Sequence, residues 1–291
     1  MKLRVAYRVL LLLLTLAAIP AVPLLIILSG VNSAEYVMRG TLDLREGSQD
    51  GLDFGATYIK LLGRMVVLDF GRSTATGQPA RTVVVSSLAE SAKVMLPAMV
   101  IAYGIGTMIG LGVRISPLVA RLMRLLRFTF FVPIIVFAYL LAYLLSYVGV
   151  SSSSPIRYLV AAAVLAIFPI YLVIQSVSRT VANVGTSKFF RYHRAMGFST
   201  TDAWAKFCWR FLAIDYLAFA VHMLVFMFGF LFFVEVPLGV DGMGPRFVSS
   251  VYRYDYPVIV GFCAIAVLLI GVSGFLVDLA RSWLDPRKVY I

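Results

Sequence analysis

The strongest constraint on this chain is a set of six continuous apolar runs, each near the length of about 20 residues that a helix needs to cross a bilayer. The runs are roughly Val9–Leu28, Ala92–Val113, Phe128–Val150, Tyr158–Val177, Phe211–Val234 and Val258–Leu279. They lack the alternation of barrel strands, so they read as helices, which satisfy their backbone polar groups internally. Composition agrees: 61% of the 291 residues are hydrophobic and 14% charged, against about 45–50% and about 25% in soluble domains. The expectation is an all-α membrane protein with six transmembrane helices. A soluble globular domain is excluded.

Charge supplies the orientation. A formal net charge of +12 would suggest nucleic acid in a soluble protein. Here the basic residues gather in short loops between spans, as the positive-inside rule describes. Lys2, Arg4 and Arg8 precede the first span; Arg114, Arg121, Arg124 and Arg127 lie between the second and third; Arg281, Arg287 and Lys288 follow the last. The alternate loops differ. Ser151–Arg157 carries one charge, and Glu235–Asp255 sets Glu235, Asp241 and Asp255 against Arg246 and Arg253. Both termini are therefore expected in the cytosol.

Three parts follow: 1–28, the cytosolic end and first span; 29–91, an external segment; and 92–291, a five-helix core. The external segment is mixed in charge, and its apolar run Leu61–Phe70 suits a compact cap or an interfacial helix. The first span could instead be a secretory signal cleaved near Asn32-Ser-Ala34. Its apolar core exceeds the roughly 7–15 residues of such signals, which favours an uncleaved span. Cys208 and Cys263 have no metal-ligand or redox spacing, and free thiols are expected.

Recognisable enzyme chemistry is missing from the sequence. It has two histidines, His193 and His222, and no HExxH, GxSxG, Walker A or paired-cysteine pattern. Gly104, Gly106, Gly110 and Gly112 lie in the second span with no strand before them, so small residues at a helix contact are the better reading. No His/Cys/Met cluster of metal-ligand type lines a span, which disfavours a metal site in this chain. Ionisable residues in or near spans are Asp215, His222, Glu235 and Asp278. Asp215 and His222 are seven apart on one helix face and, with Glu235, are candidates for a translocation path or a coupling proton. The alternative places Asp215 at the cytosolic interface and His222 in a bond to a neighbouring helix. Glu235 and Asp278, at span ends, are expected to reach water.

The segment Arg179–Arg210 is the most basic: Arg179, Lys188, Arg191, Arg194, Lys206 and Arg210 stand against Asp202. Lys188–Met196 suits a short helix ended by Gly197 in a left-handed turn, with Ser199 as N-cap of a second helix leading into the fifth span. Such a rigid elbow can transmit force. The competing reading is a positive-inside anchor with no partner.

Its core, Arg191-Tyr-His-Arg-Ala-Met-Gly-Phe-Ser199, resembles the coupling segment of ABC importer permeases of the dipeptide/oligopeptide/nickel family, where Arg191, Arg194, Ala195, Gly197, Phe198 and Ser199 fall in order. Val234-Glu235, Gly242-Met-Gly244, Asp255-Tyr-Pro257, Leu276-Val-Asp278 and Leu284-Asp-Pro-Arg287 with Tyr290 resemble that family's closing pattern. Leu68-Asp-Phe-Gly-Arg-Ser73 resembles its external segment before the second span. Lys188 stands where that family usually has an acid and Asp215 where it has a proline, and its Pro-Gly-Asp stretch after the first span is missing.

The resemblance implies a type I ABC importer permease fold in a bacterial or archaeal cytoplasmic membrane. It implies a second permease chain, two ATP-binding subunits that use ATP and Mg, and an external substrate-binding protein, with no cofactor in this chain. Arg191, His193, Arg194, Ala195, Met196, Gly197, Phe198 and Ser199 would couple to an ATPase subunit, with Met196 and Phe198 as apolar knobs. Peptides are the default substrate, with oligosaccharides or nickel as alternatives. A proton-coupled secondary transporter using Asp215 and His222, or a membrane scaffold, are the rival classes.

Overall fold

The computed structural model describes residues 67–115, 132–151 and 154–284, with single positions 10, 14, 59, 63, 64 and 121 besides. Nearly all of the first span, the Asn32–Ala34 site, most of the external segment and the closing residues from Asp285 to Tyr290 lie outside this set. The helices are α1 Ala80–Ile115, α2 Ile134–Tyr147, α3 Pro155–Thr186, α4 Lys188–Ala195, α5 Thr200–Ala203, α6 Trp209–Leu238, α7 Met243–Tyr252 and α8 Tyr256–Leu284. A π-helical turn, Trp204–Cys208, joins α5 to α6. Among the described residues the only β pairing outside named strands is the antiparallel bridge Arg72–Pro79.

Among the described residues four helices are long and apolar enough to cross a membrane: Ala80–Gly112, Pro155–Thr186, Lys206–Leu238 and Tyr256–Arg281. They fall on the expected second, fourth, fifth and sixth spans, and all four are longer. The second begins at Ala80 rather than Ala92, inside the segment expected to be external. Arg81, Glu90 and Lys93 lower the hydropathy there, while the Ser86 and Ser87 hydroxyls donate to the Val83 carbonyl at 3.0 and 2.8 Å and so stay within the helix. The fourth continues past Val177 through Arg179 to Thr186. The third is a 14-residue apolar helix over its described part. Both cysteines are free thiols, Cys208 buried and Cys263 exposed.

The chain forms two compact units, residues 1–92 with 240–272 and residues 93–239 with 273–291. In the second unit α6 packs along α3 and α2. Ser154 caps α3 by accepting from the Ile156 N–H at 3.3 Å, and Pro155 occupies the first turn, where its missing N–H costs nothing. The α1–α3 contact is set by a Gly-x-x-x-Gly pair. A Cβ on Gly106 would lie 2.7 Å from the Val173 Cβ, and one on Gly110 would lie 2.9 Å from the Val177 Cβ. Lipid offers no hydrophobic driving force between helices, so close van der Waals approach of this kind holds them together. Gly104 has nothing within 4 Å of such a Cβ, so it takes no part in this contact. Val173, Val177 and Met223 form the core beside them, with Tyr103, Tyr216 and Phe219 packed on it.

In the first unit, the loop before α1 and the segment around α7 form one core. Phe70 is 3% exposed and packs with Val84 against Gly261, where a Cβ would meet them at 2.9–3.1 Å. Asp255 accepts from the Ser73 hydroxyl and, at 3.1 Å, from the Thr74 N–H; the Ser91 hydroxyl accepts from the Met243 N–H at 2.7 Å.

Candidate functional site

The basic elbow is built from local signals. Ser187 starts α4 by accepting from the Phe190 N–H at 3.2 Å. The helix closes in a Schellman motif: the Gly197 N–H bonds the Arg194 carbonyl at 3.1 Å and the Phe198 N–H the His193 carbonyl at 3.4 Å. Gly197 has φ +91°, a left-handed conformation that a side chain disfavours. Ser199 then starts α5, accepting from the Asp202 N–H at 3.0 Å and donating to the Asp202 carboxylate. Helix, glycine turn and helix stand where the sequence placed them.

Helical period divides α4 into two faces. Lys188, Arg191, Tyr192, Ala195 and Met196, spaced i, i+3, i+4, i+7 and i+8, are all exposed. The other face carries the aromatic contacts, with Phe190 and His193 half-buried and Phe189 exposed. His193 lies 4.4 Å from Phe189 and 4.0 Å from Phe207 between ring centroids, and Phe198 lies 5.3 Å from Phe207. Phe189 also meets Phe211 on α6 at 6.0 Å. Phe198 is thus a bracket inside the elbow rather than an outward knob, because the Schellman turn folds its ring back over the helix it ends. Tyr192, 63% exposed beside Met196 at 59%, occupies the outward position instead. A helical wheel of residues 188–196 would have found it.

The charges of the elbow face outward or brace its backbone. Arg194 donates to the Phe198 carbonyl at 2.7 Å, across the glycine turn that follows its helix. Lys206 sits 5.5 Å over the Phe198 ring. The His193 Nδ1 lies 2.8 Å from the Phe189 carbonyl, which fixes the ring that the others stack on. Asp202, the acid of the segment, is engaged by Ser199, so the cations of the outer face stay uncompensated by it.

The intramembrane candidates are not brought together. Asp215 accepts from the Thr180 hydroxyl of α3. His222 is exposed and its Nδ1 lies 3.1 Å from the Ala218 carbonyl of its own helix, rather than bonding a neighbour. Glu235 is 0% exposed and does not reach water, because α6 runs beyond the expected span end to Leu238 and buries Val234, Glu235 and Leu238 together. It also lies 20 residues along the helix from Asp215, about 30 Å at 1.5 Å per residue. Asp278 is half-buried.

Other polar residues carry the interhelical contacts. Tyr216, next to Asp215, bonds Thr107 through its hydroxyl, and its carbonyl accepts from the Tyr103 hydroxyl at 3.1 Å. One turn of α6 is thereby tied to α3 through Asp215 and to α1 through Tyr216. Arg157 is 8% exposed and bonds the Val150 carbonyl at 2.8 Å, the Ser146 hydroxyl at 3.1 Å and the Leu238 carbonyl at 3.1 Å. It gathers the ends of α2, α3 and α6. A lone arginine in a short loop gave no sign of this, since its partners are two backbone carbonyls and one serine hydroxyl.

Residues 102–290, well over half of the chain, match the family described as "Binding-protein-dependent transport system inner membrane component". The Dipeptide transport system permease protein DppB of Bacillus subtilis (strain 168) is 29% identical over 135 residues. That stretch is 46% of this chain and 44% of that relative, so less than half of either length is aligned.

Proposed function

Because the chain belongs to the family of binding-protein-dependent transport system inner membrane components, we propose that it is a permease subunit of an ATP-driven ABC importer. In this reading it forms half of a translocation pathway with a second permease chain. Two partner subunits bind and hydrolyse ATP with Mg, an external binding protein delivers the substrate, and both termini lie in the cytosol. Peptides are the substrate class we propose, supported by the dipeptide permease among its relatives.

The observation that carries the reading is the elbow: an exposed cationic face on a short helix, capped at both ends and packed by its rings against the base of α6. We assign Arg191 and Arg194 to electrostatic contact with an ATPase subunit, Tyr192 and Met196 to apolar contact, and Ala195 to close approach. Gly197 sets the turn, His193 and Phe198 brace it, and Ser199 caps the following helix. Movement of the ATPase would drive α6 as a rigid body, and the Thr180–Asp215 and Thr107–Tyr216 bonds would pass that movement to α3 and α1. The separate engagements of Asp215 and His222 lend an ion-coupled mechanism no support.

The test is reconstitution of the transporter, both permease chains and both ATPase subunits with the binding protein, in proteoliposomes. Substrate-stimulated ATP hydrolysis and uptake should persist with an uncoupler and stop without ATP. Uptake that collapses with the uncoupler while surviving ATP depletion contradicts the proposal.

A further inference from the structure

His222 stands midway along the span Lys206–Leu238, at the depth where an ionisable side chain is least at home in lipid. It is nonetheless exposed. The sides of α6 that pack are marked elsewhere. Met223, Met227 and Leu231 are buried, Asp215 is bonded from Thr180 of α3, and Phe226 stacks on Phe168 of α3 at 4.6 Å. His222 shares a different, open face with Val225, Gly229 and Val236, at helical spacing. Val225 is 49% exposed, and a Cβ on Gly229 would meet nothing within 4 Å. An open lane therefore runs along α6 past the imidazole.

The ring is fixed in one chemical sense. Its Nδ1 lies 3.1 Å from the Ala218 carbonyl, and a carbonyl only accepts, so Nδ1 carries the proton. In the neutral imidazole Nε2 is then a bare acceptor. Among the described residues no hydrogen bond is made to it. Hydrocarbon has no donor to offer, so turning this nitrogen to lipid would cost free energy. The helix packed along α6 shows the same feature. Tyr139 lies at the middle of the apolar run Phe128–Val150 and is 57% exposed, and Tyr143, one turn on, is 69% exposed. Tyrosine suits the headgroup level of a bilayer, not its middle. Two adjoining helices thus carry hydrogen-bonding groups on exposed faces at mid-depth, which suits a wet surface better than a lipid one.

We propose that His222 is a substrate contact at the midpoint of the translocation pathway, its Nε2 accepting a hydrogen bond from the N-terminal ammonium or a backbone N–H of a passing peptide. The inference rests on the peptide-importer reading above. An acceptor suits a ligand rich in N–H donors. It also needs to let go, and α6 is joined to the elbow through the Trp204–Cys208 turn, so movement of the elbow carries His222 with it. A helix fixed against this face would instead give Nε2 a permanent donor and close it to water.

The experiment uses the complete transporter in nanodiscs with its loaded binding protein. His222→Cys is treated with a sulfonated methanethiosulfonate, which is charged and stays in water, and labelling at that position is read by mass spectrometry. Labelling should differ several-fold between the nucleotide-free and the vanadate-trapped states, and alanine peptides should slow it. Val225→Cys, on the same open face, gives the same readout should the first variant fail to assemble. In proteoliposomes His222→Leu should lower uptake of labelled di- to pentaalanine per ATP hydrolysed by about tenfold, and His222→Gln, which keeps an acceptor, should recover most of it. No labelling in either state overturns the proposal, since the face is then covered by lipid or by a fixed helix. Labelling indifferent to nucleotide and peptide, or wild-type uptake by His222→Leu, overturns it too. A wild-type transporter that takes up none of these peptides with ATP overturns the peptide-importer reading, and this inference with it.

Discussion

The elbow and the clasp that Asp255 makes with Ser73 and Thr74 are both held by hydrogen bonds, but they close by opposite routes. In the elbow each backbone bond spans only a few residues, and no ring contact described there reaches further than Phe189 to Phe211. Its one acid is held by a neighbouring serine, and its cations point outward from a helix that needs nothing distant to form. The clasp joins residues 181 and 182 positions apart, and it buries the acid that joins them. A locally closed unit can move as one body. A surface made by long-range contacts keeps its shape only while both segments stay folded together.

The sharpest way to break this contrast is Gly197→Pro. Proline fixes φ near −65° and has no N–H, so it opposes both the +91° turn and the bond to the Arg194 carbonyl. Substrate-stimulated hydrolysis should fall more than about tenfold, since a turn that cannot close misdirects the whole outer face. Membrane insertion, read by protease protection, should be unchanged. Asp255→Ala should do the reverse. It leaves the Ser73 hydroxyl and Thr74 N–H without their acceptor and costs about 1–3 kcal/mol of stability. Thermal unfolding in detergent should show that loss while the elbow's proteolytic pattern stays as in the wild type.

Gly106→Ala tests packing of the second unit alone. Its methyl would overlap Val173, at a cost of about 1–3 kcal/mol, whereas Gly104→Ala meets open space and should leave the melting temperature unchanged or slightly raised. The smallest effect belongs to Ser187→Ala, which removes the α4 cap and costs about 1 kcal/mol of local helix stability. Hydrogen exchange should show faster opening of α4 with the clasp unaffected.

The same contrast explains what the sequence disclosed. The elbow was legible residue by residue because serine caps, a C′ glycine and helical period are local signals. Only the inward turn of Phe198 and the outward place of Tyr192 were missed; the second follows from applying that period to an eight-residue helix, the first from the Schellman turn that comes before Phe198. The spans were legible as apolar runs, but their ends were not. Serines bonded within the helix carry α1 twelve residues beyond its apolar run. The polar ties were hidden. Thr180, Thr107, Tyr103 and Tyr216 are unremarkable residue types, and their partners lie 35 to 113 positions away. Glu235 looked like a span-end carboxylate because nothing in its neighbours reveals that the helix continues around it.

Retention of the ATPase subunits by a chain carrying Ala195→Glu tests the central claim most directly. The substituted side chain lies on the exposed face of α4, away from its caps and inner rings, so the elbow should fold and the chain insert as before. The reading of this face as the ATPase contact predicts that ATPase subunits no longer co-purify with the permease and that substrate-stimulated hydrolysis is lost. Full retention of those subunits, with normal stimulated hydrolysis, would contradict it.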